Sequence, residues 1–88
     1  MLRTTSRGGN SKAAQIAVAL AEWEDAEQLI ADIDRRLSHQ RQLIAQLARQ
    51  GEEIISQEIV LESLIASRIL ADDNRRRLHA TLAMTSDN

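Results

Sequence analysis

Large apolar residues recur every seven positions through the first half of the chain: Ile16, Trp23, Ile30, Leu37 and Ile44. The next rung of this ladder is Gly51. A strict seven-residue spacing places one apolar stripe along an amphipathic helix of the coiled-coil type. Glycine suits the left-handed position that follows a helix end, so the ladder predicts a helix over residues 12–49 and a turn over 50–53. Arg49 lies favourably in the last turn of that helix, and Glu52 and Glu53 stand where a second helix would present its positive end.

A single uninterrupted helix is the competing architecture, and register decides against it. Continuing the ladder past the glycine puts Gly51, Glu58, Ile65, Asp72 and His79 on the core positions, and four of those five are poor core residues. Starting afresh gives Ile54, Leu61, Leu64, Leu78 and Leu82 at three- and four-residue spacings, with Gln57, Arg68, Ala71 and Arg75 between them. The second register is better, and it predicts a second helix over about residues 54–83, folded back on the first in a hairpin spanning residues 12–84. The fold class expected is all-α, an antiparallel two-helix hairpin.

Charge order agrees. Residues 22–34 carry Glu22, Glu24, Asp25, Glu27, Asp32 and Asp34, while residues 35–49 carry Arg35, Arg36, Arg41 and Arg49. After the turn, Glu52, Glu53, Glu58 and Glu62 precede Arg68, Arg75, Arg76 and Arg77. Folding back near residue 52 sets opposite charges side by side, whereas parallel pairing would more often set like against like. Arg68 and Arg75 fall on core-register positions. Their stems can cover apolar surface while their guanidinium groups reach Asp34 or Glu27 across the hairpin. Gln40, between Leu37 and Ile44, is either a register-fixing buried amide or a seam-edge side chain reaching water.

Composition narrows the class further. The 88 residues include no proline, cysteine, phenylalanine or tyrosine, and Trp23 is the one aromatic residue. Ala, Leu, Ile, Glu, Gln and Arg dominate, most of them good helix formers. Without cysteine there are neither disulfides nor thiolate metal sites, which fits a cytoplasmic location. No stretch approaches the ~18 consecutive apolar residues of a membrane span. Residues 1–11 are polar, contain Gly8-Gly9 and carry Arg3 and Arg7, so a disordered basic tail is expected, with Asn10 or Ser11 as helix cap. Basic residues ahead of the apolar stretch Ala13–Ala21 superficially resemble a secretory leader, but Gln15 interrupts it. Residues 85–88 are expected to fray.

Helix two carries more apolar surface than one neighbour needs. Projected at about 100° per residue, Val60, Leu61, Leu64, Ile65, Leu78 and Leu82 share one face. Ile55, Ile59, Ala66, Ile69 and Leu70 share another, roughly opposite, interrupted by Glu62 and Asp73. Leu29 and Leu43 likewise widen the stripe of helix one. Scattered surface aliphatics are the plain alternative. The preferred expectation is an interface built on Ile55, Ile59, Ile69 and Leu70, either for a helical protein partner or for a homo-oligomer, most simply a dimer forming a four-helix bundle.

Candidate chemistry is sparse. His39 and His79 are too far apart in a hairpin to share a metal, and neither has a Glu or His at the spacing of a bundle metal site. The carboxylates form stripes, and none of Ser38, Ser56, Ser63 and Ser67 has a histidine placed as base. No catalytic residue, metal or cofactor is expected, and the chain is not read as an enzyme. Ser56-Gln57-Glu58-Ile59-Val60 resembles the Ser-Gln-Glu-Leu-Asp motif of the small sporulation-control aspartyl-phosphate phosphatases. Val60 stands where that family has its functional aspartate, so the implied chemistry is lost. A nucleic-acid-binding regulator, using the basic tail and Arg75–Arg77, is the alternative reading. It is disfavoured by Glu22, Glu24, Asp25 and Glu27 at the same end and by the lack of stacking aromatics.

The pattern Ile30-x2-Ile33-x3-Leu37-x2-Gln40-x2-Leu43-Ile44-x2-Leu47-x3-Gly51, followed by Leu61-x2-Leu64 and Arg75-x2-Leu78, resembles a group of short uncharacterised proteobacterial proteins. The resemblance covers about residues 26–82 and implies a helix, a glycine-containing turn and a second helix, with a bacterial origin. Arg68 and Ala71 depart from it, standing where a larger apolar residue and a histidine are expected.

Overall fold

The computed structural model describes the backbone of residues 2–86 and the side chains of residues 12–84. Two helices, α1 (Leu2–Arg49) and α2 (Ile55–Ser86), pack antiparallel as an all-α hairpin. At about 1.5 Å of rise per residue, the 48 residues of α1 account for the 72 Å long axis of the molecule. The remaining extents, 22 and 15 Å, are those of two helices side by side.

The turn forms where the ladder fails. Gly51 has φ of +73°, the left-handed conformation that a side chain disfavours. Its N–H donates to the Ala48 carbonyl (3.1 Å), and the Glu52 N–H reaches back to the Leu47 carbonyl (2.9 Å). These two bonds are the Schellman closure, which satisfies carbonyls that the end of α1 would otherwise leave unpaired. The next helix starts at once. The Ile54 carbonyl accepts the first helical bond from the Glu58 N–H, and the Glu53 carboxylate accepts from the Ile55 N–H, serving as the cap that no Ser, Thr, Asp or Asn supplies.

The core is a seam. Ala19, Ala26, Ile30, Ile33 and Leu37 of α1 and Ala71 of α2 are buried, with Leu61 and Leu64 packed against the centre of the cluster. Ile16, Trp23 and Ile44, the other rungs of the ladder, are half-buried. On α2 and the residue before it, the half-buried positions Ile54, Gln57, Leu61, Leu64, Arg68, Arg75, Leu78 and Leu82 follow the fresh three- and four-residue register. Val60 and Ile65, grouped with that face by sequence, flank it and stay exposed.

Helix ends differ from expectation in two places. α1 runs back to Leu2, ten residues before the expected start at residue 12, so the backbone of residues 2–11 is helical where the sequence predicts a disordered tail. No proline interrupts the stretch. Each glycine at Gly8-Gly9 costs a helix interior about 1 kcal/mol relative to alanine, which disfavours but does not forbid continuation. Asn10 and Ser11 consequently lie within the helix rather than at its cap, their side chains outside the described ones. α2 continues through Ser86, which takes in Thr85 and Ser86 of the expected frayed end; Asp87 and Asn88 lie outside the described residues.

A Cβ added at Gly51 would meet nothing within 4 Å, so the demand for glycine there is conformational rather than steric. Gly51→Ala is therefore expected to destabilise the hairpin by about 1 kcal/mol, a melting-temperature drop of roughly 4–8 °C, and Gly51→Asn by less. Thermal melts of the three proteins check this; an unchanged alanine variant would contradict it.

Candidate interaction surface

The apolar seam does not run the length of the hairpin. Between Leu64 and Leu78, α2 offers Arg68, Ala71 and Arg75 to α1, and polar bridges take over there. Arg68 Nε donates to Asp34 Oδ1 at 2.8 Å, and Arg75 Nη1 to Glu27 Oε2 at 3.0 Å. These are the cross-hairpin pairs expected from charge order. Asp72, also half-buried, gathers the arginines of α2. Its Oδ1 lies 2.7 Å from Arg75 Nη2 and 3.8 Å from Arg68 Nη1, and its Oδ2 lies 2.9 Å from Arg76 Nη2. Asp34, Arg68, Asp72, Arg75 and Glu27 thus form one connected chain of charges between the helices.

Hydrogen bonding to Glu27 and then to Asp72 raises the Arg75 pKa above its ordinary value. A cation whose pKa rises on folding contributes fully below its unfolded-state value. It loses that contribution only as pH climbs through the folded-state value, so this bridge is insensitive to pH through the neutral range. Nearer the turn, the half-buried Gln40 amide donates to the Gln57 carbonyl (2.9 Å) and to Gln57 Oε1 (2.8 Å). Gln40 is therefore a seam residue satisfied across the hairpin, not one turned to water. Among the described residues no buried side-chain polar atom lacks a partner.

Outside the seam the surface is more apolar than a self-contained domain requires. No described side chain is fully buried, yet Val18, Leu20, Leu29, Ile55, Ile59, Val60, Ile65, Ile69, Leu70 and Met84 are exposed. The four proposed interface residues are among the most exposed, at 65% for Ile55, 61% for Ile59, 57% for Ile69 and 69% for Leu70. They lie on the back of α2, away from α1.

The flanks of the seam are open grooves of mixed character. One is bordered by Arg35, Arg36, His39, Leu43 and Val60. Another is lined by Trp23, Glu27, Arg75, Arg76 and His79, and it sets Arg75 beside Glu27, one of the two acids that engage it. His39 and His79 border different grooves, and both are exposed. Among the described residues no group of three or more His, Asp or Glu is arranged to hold a metal ion, and no helix is long and apolar enough to cross a membrane.

Sequence reasoning misses the gathering role of Asp72. On the continued ladder it reads as a misplaced core residue. Its spacing from Arg68, Arg75 and Arg76, four before, three and four after, is the signal that would find it. No protein-family model, curated protein or solved structure matches the chain.

Asp72→Asn is expected to lower the melting temperature more than Asp32→Asn. Among the described residues Asp32 pairs only with Arg35 and Arg36 of its own helix, whereas Asp72 supports arginines that bridge the two helices. The difference should shrink in molar salt, which screens the exposed ends of the network. Equal shifts for the two variants would remove Asp72 from the set of residues holding the hairpin closed.

Proposed function

We propose that this hairpin is a non-enzymatic protein–protein interaction or oligomerisation module, acting through Ile55, Ile59, Ile69 and Leu70. The observation that carries the reading is the coexistence of an incompletely buried seam with this exposed aliphatic stripe on the back of α2. A helix that faces only one neighbour gains nothing from a second apolar stripe, and large exposed apolar surface is characteristic of sites that bind another protein. Self-association, most simply to a dimer of four helices, is the economical form of the proposal. The likeness to short proteobacterial helical hairpins and a cytoplasmic location are part of the same reading.

The nucleic-acid alternative loses support from side-chain pairing. Arg75 and Arg76, two of the three clustered arginines, are already engaged by Glu27 and Asp72. A phosphate would have to displace carboxylates held at hydrogen-bonding distance.

Sedimentation and circular dichroism across a dilution series test the association. The expected mass at micromolar concentration exceeds the 9.8 kDa of one chain. Each tenfold dilution should lower the melting temperature, because it removes about 1.4 kcal/mol of association free energy per decade. A folded 9.8 kDa monomer whose melting temperature is independent of concentration overturns the proposal.

A further inference from the structure

The exposed residues of α2 form a second heptad seam of their own. Ile55, Ile59, Glu62, Ala66, Ile69 and Asp73 alternate at spacings of four and three, as do the residues of the seam against α1. At about 100° per residue the two seams lie on nearly opposite sides of the helix. The exposures agree: the first set is turned to α1 and the isoleucines of the second to solvent.

Resting on the association reading above, we propose that the occupant of this stripe is α2 of a second copy, running antiparallel about a two-fold axis near residue 64. Ile59 of each copy then packs against Ile69 of the other, and Ala66 makes room for Glu62. The centre of the stripe is self-complementary about that point, as a two-fold interface requires: Ile59 meets Ile69 and Glu62 meets Ala66, while Ile55 faces Asp73 at the edge of the contact.

Charge selects the antiparallel direction. α2 and the turn before it are acidic at the start, with Glu52, Glu53, Glu58 and Glu62, and become basic at Arg75, Arg76 and Arg77. Glu58, Glu62 and Arg77 enter no ion pair among the described residues. An antiparallel copy lays the acidic start of one α2 along the basic end of the other, twice by symmetry, where Arg77 has no carboxylate of its own chain among the described residues. A parallel copy would instead stack Glu62 on Glu62 and Asp73 on Asp73 within the seam, which opposes association. Because the two seams of α2 are opposed, the four helices lie in a row, α1 and α2 of one copy followed by α2 and α1 of the other, with both α2 helices inside.

Mixed variants test the direction and register. Ile59→Lys and Ile69→Glu, each purified alone, should associate roughly tenfold or more weakly than the parent chain, because each homodimer buries two unpaired charges against isoleucine. Mixed in equal amounts they should recover association as a heterodimer. The introduced ammonium then meets the introduced carboxylate on one side of the axis, while the other side keeps its two isoleucines. An in-register parallel mixture only separates like charges, leaving each introduced charge against an isoleucine, and forms no such pair. Should either variant fold poorly alone, single-cysteine proteins supply a second measurement in this cysteine-free chain. Ile59→Cys mixed with Ile69→Cys should form the mixed disulfide in preference to either homodimer. Association of the parent chain without heterodimer rescue, or with the homodisulfide of the Ile59→Cys protein dominant, overturns the antiparallel register and leaves the association reading standing. A concentration-independent monomer overturns both.

Discussion

One backbone angle governs the molecule. With Gly51 at positive φ, the carbonyls at the end of α1 close on the amides of Gly51 and Glu52, and the chain reverses within a few residues. That reversal brings Leu61 and Leu64 back onto Leu37 and Ile33, and it sets the antiparallel direction in which Arg68 and Arg75 meet Asp34 and Glu27. A left-handed continuation of the helix is costly for any residue with a Cβ, so glycine is the means by which a chain rich in helix formers is made to stop.

Beyond the turn, the hairpin is held by two different kinds of contact. Its central part is a small aliphatic core with Ile30, Ile33 and Leu37 on one side and Leu61, Leu64 and Ala71 on the other. Farther out, Ala26 and Ala19 are buried, and the half-buried Arg68 and Arg75 reach carboxylates of α1. Ion pairs at a partly exposed seam contribute modestly to stability but discriminate strongly among alignments. This division of labour leaves the aliphatic residues on the back of α2 without a role inside the hairpin.

The architecture is legible in the sequence because its determinants are local and periodic. The heptad ladder, the glycine on its sixth rung and the segregation of charge each report on spacing along one helix, and the two cross-hairpin bridges follow from them. Gln40 is ambiguous by sequence because its hydrogen bonds depend on the partner residue that antiparallel register sets opposite it, Gln57. Asp72 escapes for a related reason: its importance comes from a convergence of arginines that a face projection scores only as polar. The start of α1 is expected too late because Gly8 and Gly9 signal a break by propensity alone, and propensity is a weak prior beside an adjoining helix already formed. The stripe on α2 is visible as a pattern, but its exposure becomes a fact only once the other face is seen to be occupied.

A single tight turn also sets the order in which such a molecule assembles. The Gln40–Gln57 contact joins residues 17 apart, Asp34–Arg68 residues 34 apart and Glu27–Arg75 residues 48 apart. The entropy lost on closing a loop grows with its length, so contacts nearest the turn form most readily and each one shortens the loop left for the next. Loop-closure entropy therefore favours closing from Gly51 outward and opening in the reverse sense. The far end of the hairpin, where Leu78 and Thr81 border Ala14 and Val18, is the part that breathes first, and amide exchange should quicken from the turn toward that end.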